Sequence, residues 1–297
     1  MLDTEPATLT LLAKCTFPPP GTKVTCAVSG GADSITLMIL AVAAGCVVTA
    51  VHVDLGLRRG SHEEADVVAA AASRFGAEFR AETIEVSPGP NLEARAREAR
   101  YAVLPTDVMT GHTADDQAET VLINLMRGAS TTGLAAMRPG TTRPILGLRR
   151  ESTVRFCRAQ AIDVIDDPSN FDPAFLRNRI RHELLPLMNE IAARDLVPVL
   201  TRQANILRDD SDMLDELALA IDPLDAKALA AAPVPLARRA VRRWLTTDHP
   251  PDAATVERVL RVAGGHASGC DVGSGRRVER SHQRLRLLGD PSTTPTR

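Results

Sequence analysis

Between residues 24 and 128, short β-rich runs alternate with stretches whose apolar residues recur at helical spacing, and no other feature of the chain restricts its fold as much. "VTCAV" (24–28) reads as a buried strand, and "DSITLMILAVAAG" (33–45) as a helix closed by Gly45. "VVTAVHVDLG" (47–56) is a second strand, and "SHEEADVVAAAASRFGA" (61–77) is an amphipathic helix with Ser61 as N-cap and acids in its first turn. "EFRAETIEV" (78–86) is a third strand, and "NLEARAREARYAVLPT" (91–106) is an arginine-rich helix. "DVMTGHT" (107–113) reads as a short strand and loop, and "DDQAETVLINLMRG" (115–128) as a helix with an acidic first turn. This order predicts an α/β fold: a doubly wound, mainly parallel sheet with helices on both faces. Ligands of such sheets sit beyond the carboxyl ends of the strands. The polar stretches at 29–34, 52–58 and 111–120 all follow strands, so they are expected on one rim.

The texture changes near residue 150. "ESTVRFCRAQAI" reads as a helix, and "DDPSNFDPAFLRNRIRHELLPLM" as a proline-punctuated loop running into an arginine-rich helix. Residues 189–222 look helical. Prolines at 223, 233 and 235 then mark the approach to a small module with helices at 237–245 and 252–265 and a strand or hairpin at 276–288. The expected division is an α/β domain over 1–205, a small mainly helical C-terminal domain over 206–290 and a disordered tail over 291–297. The C-terminal module holds eleven arginines against five acids between 236 and 286, and Trp244 is expected in its core.

With 44% hydrophobic residues and 24% charged, the chain has a globular composition, and a net charge of −2 provides no whole-molecule attraction for nucleic acid. Basic character is local. Five scattered cysteines without a C-x-x-C pair fit reduced thiols and argue against a zinc ribbon or an iron–sulfur site. "MLDTEPATLTLLAKC" lacks the charged start of a signal peptide, and no apolar run reaches the roughly 20 residues of a membrane span. A cytoplasmic location, with no membrane association, is the expectation.

"SGGADS" (29–34) lies at a strand-to-helix turn. A glycine turn there aims backbone N–H groups and the positive end of a helix dipole at one point, and phosphate is the natural occupant. Neither a G-x-G-x-x-G nor a Walker A pattern is present. Gly30 and Gly31 allow close backbone approach, while Ser29 and Ser34 add hydroxyls. Asp33 makes sense beside phosphate if Mg²⁺ lies between them, or if it acts on the loop's own amides. In "GHTADDQAET" (111–120), Thr113 reads as an N-cap with Asp115 and Asp116 in the first turn. Capping does not explain His112, nor why Asp116 and Glu119 share a helix face at i and i+3. That carboxylate pair suits an ammonium group or a metal ion.

"SGGADS" resembles the PP-loop signature S-G-G-x-D-S of the N-type ATP pyrophosphatases, and "GHTADDQAET" resembles the second motif, G-H-x-x-D-D-x-x-E-T, of the tRNA(Ile)-lysidine synthetase family. "AVHVDLGLRRGSHEEAD" (50–66) is similar to that family's A-V-H-V-x-H-G-L-R segment, with Leu55 where histidine is common. "LMRGASTTGLAAM" (125–137), "RPIL" (143–146) and "DDPSNFDPAFLRNRIRHELLP" (166–186) extend the likeness. The resemblance implies ATP bound by Ser29, Gly30, Gly31, Ala32, Asp33, Ser34 and Val53, with Asp33 also a ligand for Mg²⁺. It implies free L-lysine at His112, Asp116 and Glu119, and catalytic roles for Asp33, His112, Asp116 and Arg179. Arg127, Arg177, Arg181, Arg238 and Arg242 are the implied tRNA contacts, the arginines of 177–181 gripping either tRNA phosphates or the charge of an adenylate. Residues 1–205 would form the catalytic domain and 206–290 a tRNA-contacting domain, and a homodimer is compatible with the family. The implied partner is an isoleucine tRNA with a CAU anticodon. Its cytidine is adenylated at C2 with loss of pyrophosphate, and lysine then displaces AMP. The lysine amine, with an ordinary pKa of about 10.4, must lose a proton to react, and His112 is the candidate base. Rival readings are a PP-loop tRNA thiolase, which the scattered cysteines oppose, an ammonia-using amidotransferase, and a non-catalytic nucleotide-binding module.

Overall fold

The computed structural model describes residues 6–56, 61–87, 89, 92–165 and 167–289. Arg58, Arg59, Asp166 and the tail 291–297 lie outside the described residues, as does the side chain of Ser61. The chain divides into two compact units, Met1–Asn205 and Ile206–Arg297.

The first unit opens with α1 (Pro6–Leu12) and then alternates β1 (Lys23–Ala27), α2 (Ala32–Ala43), β2 (Val47–Asp54), α3 (Ser61–Phe75), β3 (Glu78–Thr83) and α4 (Leu92–Ala102). The strands pair in parallel in the order β1-β2-β3, Thr25 opposite Thr49 and Val51 opposite Arg80. The expected short strand near 107–113 is reduced to one parallel bridge, Cys26 to Met109, on the free side of β1. Thus β1 has β2 on one side and the 109 segment on the other. The chain reverses direction of growth there, which is where a doubly wound sheet opens a crevice.

Side chains alternate across β2 as a half-turn period requires. Val48 and Ala50 join a core with Ile35, Met38 and Ile39 of α2 and Val68 and Phe75 of α3, while Val51 packs on Leu104 and Val108 on the opposite face. Helix α2 is buried continuously from Ser34 to Ala41, and the chain leaves it through Gly45 at φ +84°, as the Gly45 stop predicts.

The unit continues with α5 (Ala114–Met126), α6 (Thr131–Leu134), α7 (Arg150–Ala159), a 3₁₀ turn (Pro168–Phe171), α8 (Leu176–Arg179), a π turn (Ile180–Leu184) and α9 (Leu185–Ala192). α7 covers α2 through Phe156 and Cys157, and α5 packs Ala118 and Leu122 against Ile180, Val197 and Ala204. The division between units falls within α10 (Val197–Ala218).

The second unit adds α11 (Ala226–Ala231), α12 (Val234–Leu245) and α13 (Ala253–Ala263), followed by the antiparallel sheet β4 (Gly269–Gly273), β5 (Arg276–Ser281), β6 (Arg284–Leu288). Its core joins Ala240, Val241 and Leu245 to Val259, Val262, Val278 and Leu285, with Trp244 packed at the margin. The 276–288 stretch forms the expected hairpin. The added strand β4, "GCDVG", carries two glycines in five residues, too weak a pattern to read as a strand. Among the described residues no helix is long and apolar enough to cross a membrane.

Candidate active site

The turn after β1 is built around Gly30, at φ +88°, a conformation that favours glycine. A side chain there would collide with Ile165, whose N–H donates to the Gly30 carbonyl at 3.0 Å. The Ser34 hydroxyl accepts from the Ser29 N–H at 3.1 Å and donates to the Gly31 carbonyl at 2.9 Å, closing the loop onto the first turn of α2. Ala32 begins that helix. Val53 lies near the carboxyl end of β2, half-buried against the Val51–Leu104–Val108 cluster.

Asp33 does not turn back to the loop amides. Its carboxylate accepts from the Thr153 hydroxyl and, at 3.3 Å, from Nε of Arg150, both on α7. Burial pushes the Asp33 carboxyl above its ordinary pKa and outweighs the Thr153 hydrogen bond and the Arg150 charge.

The second motif lies directly on this loop. A Cβ on Gly111 would fall 2.9 Å from the Asp33 carbonyl carbon and from the Ser34 nitrogen, so only glycine allows the approach. Thr113 begins α5 as expected, and Asp116 accepts from its N–H at 2.8 Å and its hydroxyl at 2.9 Å. Asp116 therefore caps its own helix through Oδ2 and presents Oδ1 to the site. Burial works to raise the Asp116 carboxyl, but Arg150 and Arg177 outweigh it and hold it below the ordinary range. Glu119, one turn on, is completely buried.

His112 sits just before the cap. Its Nδ1 lies 2.7 Å from the Thr110 hydroxyl, which donates to the Thr142 carbonyl at 3.1 Å. In the tautomer that keeps that hydroxyl proton on the carbonyl, Nδ1–H donates to the hydroxyl and Nε2 carries the lone pair. Burial pushes the His112 pKa down to about 4 against the opposing pull of Asp116, helped by Arg177, Arg143 and Arg97. The ring is neutral near pH 7.

The acids do not stand alone. Arg150 donates from Nη2 to Asp116 Oδ1 at 2.8 Å, from Nη1 to Glu119 Oε1 at 3.1 Å and from Nε to Asp33. Arg177 Nε reaches Glu119 Oε2 at 2.7 Å, and Arg181 Nε reaches Glu119 Oε1 at 2.7 Å. Arg177 and Arg181 are i and i+4 on the α8–π segment, so they share a face. Arg179, between them, points outward to Glu183 and is not brought to the site. Arg127 is exposed at the end of α5, and in the second unit Arg242 is exposed while Arg238 pairs with Glu257.

Sequence reasoning missed Arg150, Thr153 and Gly111. A signal for Arg150 existed: Arg149 and Arg150 stand together at the start of a helix, where the dipole disfavours cations, so acids must be nearby. Asp115 accepts both the Arg149 fork, at 3.1 Å each, and the Arg150 N–H at 2.7 Å. Among the described residues no group of three His, Cys, Asp or Glu side chains could hold a metal ion. A magnesium ion that arrives on nucleotide phosphates needs only one or two protein carboxylates. Asp33 is the only acid of the 29–34 turn, and its two oxygens accept from Thr153 and Arg150.

A glycine-bent anion loop, an acid at its lip and a second motif locked against it by Gly111 define a PP-loop ATP-binding enzyme, and the PP-loop domain family model matches residues 6–188. A model described as the TilS substrate binding domain matches residues 224–286. The chain belongs to the tRNA(Ile)-lysidine synthase family. It is 43% identical to the tRNA(Ile)-lysidine synthase of Rhodococcus erythropolis over 242 residues, 76% of this chain and 74% of that protein. It is 38% identical to that of Thermobifida fusca over 271 residues, 82% and 83% of the two chains. The resemblance carried by "SGGADS" and "GHTADDQAET" is borne out, as is the α/β fold class. Among solved structures, the U34-tRNA thiolase NcsA from Methanococcus maripaludis, with its 4Fe-4S cluster, superposes with a TM-score of 0.54 at 15% identity, covering 68% of this chain and 78% of that one; the likeness is one of fold.

Proposed function

We propose that this chain is an ATP-dependent ligase that joins lysine to C2 of the wobble cytidine in the CAU anticodon of an isoleucine tRNA, forming lysidine. The observation that carries this reading is the contact of Gly111 with the Asp33–Ser34 backbone, which sets a phosphate-receiving loop beside the buried carboxylates Asp116 and Glu119. One half suits the leaving pyrophosphate of ATP and the other suits a cationic amino acid.

In the first step the cytidine C2 oxygen attacks the α-phosphorus of ATP, and pyrophosphate departs into the Ser29–Ser34 loop. Gly30, Gly31 and Ala32 present backbone to it, and Val53 borders the nucleotide on β2. Magnesium belongs to this reading as a counter-charge to the phosphates, with Asp33 the residue that would hold it. In the second step the lysine amine attacks C2 and AMP leaves with the C2 oxygen. Asp116 and Glu119 hold the lysine, and His112 offers Nε2 to a proton on the attacking nitrogen. The reacting base has to be unstacked, which an anticodon loop provides.

The arginines take different parts from those their spacing implies. Arg177 and Arg181 hold Glu119 in place, and in this reading tRNA phosphates would be met by Arg127, Arg179, Arg238 and Arg242, of which Arg179 and Arg238 would first release Glu183 and Glu257. Residues 1–205 are the catalytic domain and 206–290 the tRNA-contacting one, acting in the cytoplasm, as a homodimer in this reading.

The test is incorporation of labelled lysine into an unmodified isoleucine tRNA transcript bearing CAU, with Mg·ATP, counted after mild alkali. Alkali removes ester-linked lysine and leaves base-linked lysine. Retained label that is lost in Asp33→Ala is the expected result. ATP turnover with no retained label would overturn the lysine assignment.

A further inference from the structure

We infer that Arg150 occupies the ammonium subsite as an internal cation, and that lysine enters by displacing it. The inference rests on the assignment of Asp116 and Glu119 to lysine made above, and goes beyond it by naming the residue that contests the site.

A count of acceptor positions forces the issue. A carboxylate offers about four lone-pair sites. Glu119 Oε1 already accepts from Arg150 Nη1 and Arg181 Nε, and Oε2 from Arg177 Nε and Arg181 Nη2, at 2.7–3.1 Å. Asp116 Oδ2 is filled by the Thr113 N–H and hydroxyl, and Oδ1 receives Arg150 Nη2 at 2.8 Å. Glu119 has no site left for an ammonium, and Asp116 has one oxygen shared with guanidinium groups. Charge gives the same answer. Asp33, Asp116 and Glu119 are balanced by Arg150, Arg177 and Arg181. A fourth cation in this half-buried space would be unpaired, which is costly, so one guanidinium has to leave as lysine arrives.

Arg150 is the one built to leave. Arg177 and Arg181 sit one turn apart on one helix and grip Glu119 directly, and Arg177 also donates to the Asp116 carbonyl at 3.3 Å. Arg150 instead spreads single donors over three acids, and its arm to Asp33 is long at 3.3 Å. It is also the first residue of α7, at the helix end where a cation is disfavoured. Its departure uncovers Asp33 and the carboxylate pair together. Lysine and the nucleotide are thereby coupled, since whatever releases Arg150 from one acid weakens its hold on the others. A neutral amino acid, whose α-ammonium is offset by its own carboxylate, brings no net charge to replace the guanidinium, so Arg150 also selects for a cationic substrate.

The experiment compares full-length wild type with Arg150→Gln in the lysine incorporation assay and by thermal unfolding with lysine or norleucine, which lacks the ε-amine. Displacement predicts that the variant has a KM for lysine lower by about tenfold, in the range of a single competing contact, together with a reduced kcat. Its Tm should rise more with lysine than that of wild type, with norleucine without effect. A purely structural role would lower Tm with no such lysine-specific recovery. An unchanged or raised KM, or equal lysine-induced Tm shifts, in the presence of an active wild type would overturn the inference and leave the ligase reading standing. A wild type that incorporates no lysine would instead sink the ligase reading itself. Should Arg150→Gln fail to fold, wild type gives the answer by modification with an arginine-specific dicarbonyl. The peptide holding Arg150 should react faster with saturating lysine than with norleucine, and equal rates would overturn the inference.

Discussion

At the residue scale the site depends on two features that spacing alone does not reveal, the missing side chain of Gly111 and the neutrality of His112. A methyl at 111 would meet backbone, not a movable side chain, so the phosphate loop itself must shift. Gly111→Ala is expected to cost about 1–3 kcal/mol of stability, as overpacking does, and to slow pyrophosphate release by more than about tenfold, since a misplacement near 1 Å has that scale of effect. Unfolding curves and a pyrophosphate-release assay check both. For His112 the sign of the pH effect follows from burial. The unfolded histidine takes a proton near pH 6.5, and the folded one only near 4. Between those values the unfolded chain binds more protons, so stability falls as pH drops through this window and is flat above it. His112→Gln should remove that slope in a pH series of unfolding free energies. In kcat/KM, an acid limb due to His112 should lie near 4; a limb at 6.5 that vanishes in the variant would contradict the buried, neutral ring.

At the element scale, α5, α7 and the α8–π segment form one electrostatic joint. Each supplies a charge that would be costly to bury without the others: Glu119 and Asp116 from α5, Arg150 from α7, Arg177 and Arg181 from the third. Removing the charge of the fully buried Glu119 with Glu119→Gln leaves three guanidinium groups short of a partner. Breaking such a pair costs about 3–5 kcal/mol, and denaturant unfolding should show a loss of that order, with lysine incorporation abolished. A loss under about 1 kcal/mol would mean that the joint is solvated and contributes as surface pairs do. The helices of this joint were legible from period and punctuation, because "GHTADDQAET", "ESTVRFCRAQAI" and "LRNRIRHELLP" carry their signals locally. The joint itself was not legible. Arg150 meets Asp33 across 117 residues, and nothing in the neighbourhood of either names the other. Spacing likewise placed Arg177, Arg179 and Arg181 together, whereas the helix turns the middle one outward to Glu183. The "DVMTGHT" strand shrank to a bridge at Met109 because the segment turns away after one pairing to bring Gly111 onto the loop.

At the scale of the whole molecule, charge is unevenly spread. The net charge of −2 conceals eleven arginines against five acids over 236–286, so attraction for a polyanion is concentrated in that stretch. Of these arginines, Arg238 is engaged with Glu257, Arg239 with Asp215 and Arg284 with Asp222, whereas Arg242 is exposed on α12. A phosphate contact through Arg242 releases about one counterion, so its loss should lower the slope of log K against log salt by nearly one. Arg242→Glu is therefore expected to weaken tRNA binding at low salt and to flatten its salt dependence. The KM for lysine and the release of pyrophosphate once tRNA is saturating should stay unchanged, because the acids proposed to hold lysine and the loop proposed to receive pyrophosphate belong to the first unit. Filter binding across a salt series, read beside the lysine KM, separates the two. A changed lysine KM with an unchanged salt slope would move Arg242 from tRNA capture to the assembly of the catalytic site.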